Sequence, residues 1–240
     1  VLRRAAAGAW HVPAGFAYLA RNPSLWPASL LPVALAVVCL FAGSVAGLFT
    51  VARLEPRLLP APERVPDVAS FLLTLGLYFG GAAAGLLLGL AVAMLLAAPA
   101  LERLSRLVEA RETGSAVESR AGLSWELLHA FKGALYFLVA APLVFLLSLI
   151  PFVGPLVGAL WGAFALAFQH ADAPLARRGL GFEARRAWHR HWRAESLGFG
   201  LGGLVTLVVP FANFLLAPAL AVGATLLVLE LGTDPPGAGS

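Results

Sequence analysis

Four stretches of this chain contain no Asp, Glu, Lys or Arg: Asn22 to Ala52, Val68 to Leu101, Gly133 to Ala171 and Ser196 to Leu229. Each exceeds the roughly 20 residues that an α-helix needs to cross a bilayer core of about 30 Å. In an ordinary globular domain about a quarter of the residues are charged; here 12% are, against 60% hydrophobic. The sequence therefore reads as an all-α integral membrane protein, with room for one membrane domain and short connectors but not for a separate catalytic domain. Arg3 and Arg4 precede only a short mixed segment, unlike a cleaved signal peptide, so the first span is expected to be retained.

Two of the four stretches are broken near the middle by the same kind of turn, Pro151-Phe152-Val153-Gly154 and Pro210-Phe211-Ala212-Asn213. Non-helical backbone at membrane depth is tolerated only where protein or a polar cavity surrounds it, and paired interrupted helices recur around transporter substrate sites. The first turn leaves arms of about 18 and 17 residues, at the lower edge of spanning length. The second leaves arms of about 14 and 16, which makes it the better candidate for a re-entrant hairpin. The shared order of apolar arm, Pro-Phe, two residues ending in Gly or Asn, and apolar arm suggests a weak internal repeat.

The expected organisation is two long transmembrane helices, two helical hairpins that penetrate partly or fully, and interfacial amphipathic helices. The long helices fall at about 24–52 and 68–112, the first hairpin at 124–175, an interfacial helix at 182–195, the second hairpin at 196–230 and a disordered tail at 231–240. Arg3 to Ala20, with Trp10, Phe16 and Tyr18, reads as a further short helix at the interface. Asn22-Pro23-Ser24 reads as a helix start, Asn capping and Pro standing where its missing N–H does no harm. Pro56, Pro60, Pro62 and Pro66 mark an exposed connector that interrupts the helix. The second helix carries its pattern past the membrane to about Gly114, and Gly81, Gly85 and Gly89, four apart, suit close packing against another helix. Gly154, Gly158 and Gly162 suit it too. Between the hairpins, Trp188 and Trp192 lie among Arg185, Arg186, Arg190 and Arg193, the pattern of an amphipathic helix on a membrane surface. Charge bias places the N-terminus, the Glu102 to Lys132 region and this helix together on the cytoplasmic side, and favours contact with anionic lipid over nucleic acid.

Enzymatic signatures are missing: no Gly-x-Ser-x-Gly, no phosphate loop, no His-Glu-x-x-His, and Cys39 as the lone cysteine. Catalysis, direct ATP drive, a cofactor and a metal site are accordingly not expected. His170 with Asp172, and His189 with His191, are spaced by two, which puts their side chains on different helix faces. Glu102, Arg103, Arg106 and Glu109 close the long second helix, where pairing at i,i+3 and i,i+4 is the ordinary explanation and an ion path the alternative. The turns offer an attraction for anions. Pro155 can begin a helix after Gly154 and Asn213 can cap the helix after Ala212, so two helix N-termini, each worth about half a positive charge, would point inward. Packing alone is the competing explanation for both turns.

Several of these residues also carry a resemblance. Ala97-Ala98-Pro99 followed by Leu104, Glu109 and Gly114 resembles the Ala-Ala-Pro helix end of the CysZ sulfate permeases. So do Leu149-Ile150-Pro151-Phe152-Val153-Gly154, Gln169-His170-Ala171-Asp172-Ala173-Pro174, Gly198-Phe199-Gly200, Val209-Pro210-Phe211-Ala212-Asn213, and Pro218 with Gly223-Ala224-Thr225. The motifs keep their order from about Gly15 to Leu229. The resemblance implies two long spans and two hairpins, assembly as a homo-oligomer, and sulfate uptake across the bacterial inner membrane. The same superfamily includes the etoposide-induced membrane proteins of eukaryotes. The chain departs from the permeases at one place: the turn before the first span is followed there by paired arginines associated with sulfate, and here Pro23-Ser24-Leu25 is followed by Trp26 and Pro27.

Two functions follow as expectations. The first is a channel-like or secondary transporter for sulfate or a related oxyanion, received by Arg21, Asn22 and Ser24 and stabilised inside at Gly154 and Asn213, with Pro151 and Pro210 as structural turns. The second is a membrane scaffold whose hairpins and Arg/Trp helix bind lipid or partners without transport.

Overall fold

The computed structural model describes residues 1–58, 67–117, 122–207 and 212–233. Regular structure among them is helical, without a strand: α1 Leu2–Arg21, a short 3-10 turn Pro23–Leu25, α2 Trp26–Leu58, α3 Asp67–Thr113, α4 Leu123–Ser148, α5 Val153–Arg177, α6 Phe182–His191, α7 Arg193–Leu207 and α8 Ala212–Leu231. Four helical segments, Pro23–Leu58, Val68–Thr113, Phe131–Ser148 and Val153–Arg177, are long and apolar enough to cross a membrane. The protein is an all-α, multi-pass membrane protein. It divides into two compact units, one of residues Leu30–Ala100 and one of Val1–Ser29 with Leu101–Ser240.

In the first unit α2 and α3 pack backbone to backbone. A Cβ on Gly47 would overlap the Gly81 carbonyl, and one on Gly85 the Gly43 carbonyl, so the glycine spacing read in α3 meets a matching pair in α2. Tyr78 Oη donates to Glu55 Oε2 at 2.8 Å. The expected break at Pro56 is absent, because α2 runs through it to Leu58. Pro56 has no N–H for the carbonyl one turn back, so the helix continues with one backbone hydrogen bond fewer. Pro60, Pro62 and Pro66 lie outside the described residues. Pro99 likewise stands inside α3 rather than at its end.

The second unit is built on α1, α5, α7 and α8. Gly8 meets the Glu195 carbonyl, Gly198 the Ala5 carbonyl, Gly15 the Ala219 carbonyl and Gly223 the His11 carbonyl, each too closely to admit a side chain. This seats α1 against α7 and α8, with Val12, Phe199, Leu220 and Leu227 sharing one buried cluster. The helix expected at the interface thus packs one face on the protein, while Trp10 and Phe16 on its other faces stay exposed. Gly200 approaches the Ala163 carbonyl in the same way and joins α7 to α5. Of the three α5 glycines, only Gly154 is tightly enclosed, by the Ser148 carbonyl across the turn.

The region expected to form one interfacial helix over 182–195 is two helices, broken at Trp192. Its basic and aromatic residues are not simply spread over a surface. Arg185, Trp188 and His189 are 3%, 4% and 2% exposed, and only Arg190, His191 and Arg193 of the C-terminal stretch face outward fully. Arg185 is held by Asp172 of α5, and the Trp188 indole donates to the Gly232 carbonyl at 2.8 Å.

Candidate functional site

The last turns of α3 bring polar groups inside the second unit. From Leu101 onward, Leu104 and Val108 pack with Leu25 and Val222, which fixes the inward face of the helix. Ser105 and Glu109, one position along from each, are carried inward with them and are each 1% exposed. Glu109 does not pair along its own helix with Arg106, as the i,i+3 spacing suggested. Its Oε2 accepts from Arg177 Nη2 at 2.7 Å, and its Oε1 from Arg178 Nη2, both guanidiniums coming from the C-terminal end of α5. Glu102, Arg103 and Arg106 face outward on α3 and enter no ion pair among the described residues.

Arg177 also donates to Ser105 Oγ at 2.9 Å. Ser105 Oγ lies 2.8 Å from Thr225 Oγ1, whose own hydroxyl donates to the Ala221 carbonyl at 2.7 Å. The direction of this chain is therefore set: Arg177 donates to Ser105, Ser105 to Thr225, and Thr225 to the α8 backbone. Two guanidiniums face one carboxylate, an excess of one positive charge in a buried place. Arg177 Nε and Nη1 are buried without a hydrogen-bond partner. A buried cation whose donors are left over is costly by several kcal/mol unless an anion or acceptor meets them.

A second polar group stands on the same segment. Arg111 Nη1 donates to Asn22 Oδ1 and Nη2 to Ser24 Oγ, both at 3.0 Å, so one guanidinium holds the two residues that open the first long helix. The Asn22 side-chain amide donates back to the Tyr18 carbonyl at 2.8 Å. Trp26 Nε1 donates to the Leu19 carbonyl at 2.9 Å, so the aromatic residue that replaces the expected arginine ties back to the last turn of α1. Arg21 is exposed at the end of α1. Tyr18 Oη donates to Glu112 Oε1 at 2.7 Å, and burial, followed by this bond and the carboxylate charge, pushes its pKa up to about 12.

The first turn is placed less favourably for an anion. At the first, the Val153 N–H donates to the Pro151 carbonyl and the Gly154 N–H to the Ile150 carbonyl, each at 2.8 Å, and Pro155 has no N–H. The first three positions of α5 thus offer no open amide. Phe152, in the left-handed region at φ 64°, closes this turn and is 95% exposed. Asn213 lies within the first turn of α8 rather than ahead of it; its side chain, and the Pro210-Phe211 part of that turn, lie outside the described residues. His170 bonds to the Leu166 carbonyl one turn back, and no group of metal-binding side chains occurs among the described residues. A groove of this unit, about 560 Å³, is lined by Glu112 and Glu230 with His11 and Trp10, a poor lining for an oxyanion.

A family model described as sulfate transporter CysZ/etoposide-induced protein 2.4 matches residues 12–218. The chain belongs to this family. Among relatives named sulfate transporter CysZ, that of Pseudomonas fluorescens is 39% identical over 103 residues, covering 41% of this chain and 41% of that protein. That of Pseudomonas syringae pv. tomato is 34% identical over 156 residues, covering 60% and 61%. That of Pectobacterium atrosepticum is 31% identical over 150 residues, covering 58% and 54%. The chain thus spans about two fifths of the first of these relatives and up to about three fifths of the others.

The family match encloses both polar groups except for Thr225. Sequence reasoning had found Asn22, Ser24 and Glu109 but not Arg111, Arg177, Arg178, Ser105 or Thr225. Arg177 and Arg178 are an adjacent basic pair a few residues after an apolar run, where only their position beside a span is legible. Their partner lies 68 residues earlier in the sequence, beyond the reach of any helical periodicity.

Proposed function

We propose that the chain is a CysZ-like permease that passes sulfate or a related oxyanion across the bacterial inner membrane, without covalent catalysis. One observation carries the reading: the buried Arg177–Glu109–Arg178 cluster holds one guanidinium more than its carboxylate can satisfy. A tetrahedral dianion supplies acceptors of the right kind for the leftover Arg177 donors. Arg111 does at the start of the first span what an arginine beside that span would do. It aims a guanidinium at Asn22 and Ser24, and with exposed Arg21 it gives an arriving oxyanion a cation and two polar side chains. Names of the relatives fit sulfate as the cargo, and the multi-pass architecture fits a path through protein. Assembly as a homo-oligomer belongs to the same proposal.

Purified protein in liposomes should pass labelled sulfate above the leak of empty liposomes. Arg111→Ala, at an exposed position, should lower that flux about tenfold while leaving thermal unfolding in detergent within about 0.5 kcal/mol of the parent. A parent protein that passes neither sulfate nor any other oxyanion tested would remove the transport reading. The scaffold alternative draws on Trp26, whose hydrogen bond to Leu19 gives the residue at the family's arginine position a structural task. It predicts normal folding with no flux.

A further inference from the structure

A second cavity, of about 340 Å³, opens in the same unit between α5, α6 and α7. Its polar side is Arg190 and Arg193, both exposed and neither engaged in an ion pair among the described residues. Its floor is His189, whose Nδ1 lies 2.9 Å from Ser196 Oγ and whose Nε2 is buried without a hydrogen-bond partner. Phe164 and Leu197 make up the apolar side. Ring contacts fix the imidazole, with Phe164 and Phe168 centroids at 5.9 and 5.1 Å.

Burial, reinforced by the charge of Arg185, pushes the His189 pKa down to about 3, so the ring is neutral. The tautomer in which Nδ1 accepts from the Ser196 hydroxyl places the proton on Nε2 and gives that nitrogen a donor. A cavity lined by this imidazole and two arginines suits a phosphate group.

The apolar side continues beyond the cavity. Leu156, Leu160 and Phe164 recur every four residues on α5, as do Leu197, Leu201 and Val205 on α7, so each set lines one face of its helix. Leu156 and Leu160 are 61% and 41% exposed, and Leu201 and Val205 are 40% and 72% exposed. The two helices are joined at Gly200 and Ala163. Two uncovered apolar stripes therefore lead away from a cationic pocket.

We propose that this cavity is a binding site for one anionic phospholipid, its phosphate held by Arg190, Arg193 and His189 and its acyl chains lying along the α5 and α7 stripes. The charge of the pocket selects the anionic headgroup, and the stripes require an attached hydrocarbon, which a free oxyanion lacks. The site shares no residue with the Arg111 and Arg177 clusters, and its occupancy is independent of whether sulfate is transported.

The test uses the full chain in a neutral detergent, with native mass spectrometry reading the binding of dioleoylphosphatidylglycerol and dioleoylphosphatidylcholine. The parent should retain the anionic lipid in preference to the zwitterionic one. Arg190→Gln with Arg193→Gln should weaken it about 30-fold, and each single variant about 5-fold. Arg186→Gln, whose guanidinium stacks on Tyr136, should leave binding unchanged. Thermal unfolding without lipid identifies any variant that misfolds; the single variants then carry the test. Equal retention of both lipids, unchanged binding in the arginine variants, or displacement of phosphatidylglycerol by millimolar inorganic phosphate would overturn the proposal.

Discussion

Helix α4 presents Leu135, Leu138, Val139, Leu143, Phe145 and Leu146 outward, each between 46% and 70% exposed, whereas α6 encloses Arg185, Trp188 and His189 to 4% exposure or less. In water the two would be arranged the other way round. In a bilayer an exposed leucine meets lipid tails as apolar as itself, so burying it in protein gains little. A charged or hydrogen-bonding group has no such alternative and must find partners within the protein. The polar minority of the sequence therefore determines what packs inside, and the apolar majority is free to face out.

The sharpest way to break this contrast is Arg185→Leu. If α6 owes its seat to the Arg185–Asp172 pair, replacement should cost about 2 kcal/mol in detergent unfolding. That is less than the roughly 3 to 5 typical of breaking a fully buried pair, because the Asp172 side chain is 40% exposed and partly screened. A loss under about 0.5 kcal/mol would mean that apolar packing at Trp188 seats the helix.

A smaller effect is expected from pH. The folded-state pKa of His189 is depressed to about 3 from an ordinary 6.5. Between those values the unfolded chain takes up a proton that the folded ring cannot. The contribution of His189 to stability is thus fully present well above pH 6.5 and declines as pH falls through that value, by on the order of 1 kcal/mol at pH 5.5. His189→Leu should remove this part of the slope when unfolding midpoints are followed from pH 7.5 to 5. An unchanged slope would show that the buried ring already shares its proton with solvent.

The architecture was legible because its causes are local. Uncharged runs longer than a bilayer core demanded helices, the charged continuation after Leu101 carried α3 to Thr113, and glycines four apart announced the α2–α3 contact. The site was not legible, because its causes are distant. Nothing near Glu109 says that its partners come from the end of α5, and nothing in α6 says which arginine turns inward. Helix α6 was read as a surface helix because four arginines around two tryptophans do suit a membrane surface. Asp172, 13 residues earlier, changed the balance for one of them. Pro56 misled for a different reason: a proline removes one backbone hydrogen bond from a helix and does not by itself end it.

The least effect is expected on the outer face of α4. Leu143 is 62% exposed, so Leu143→Ala removes methyl groups that face lipid and leaves no cavity in the protein. Unfolding should shift by less than about 0.5 kcal/mol. Leu220, 1% exposed inside the α1–α7–α8 cluster, provides the matched control, since the same truncation there leaves a void that neighbours cannot fill. If Leu143→Ala proves as costly as the Leu220 variant, α4 cannot be a lipid-facing helix. The apolar row Leu135, Leu138, Leu143 and Leu146 would then be a protein contact, with a second copy of the chain the partner to test by cross-linking in the membrane.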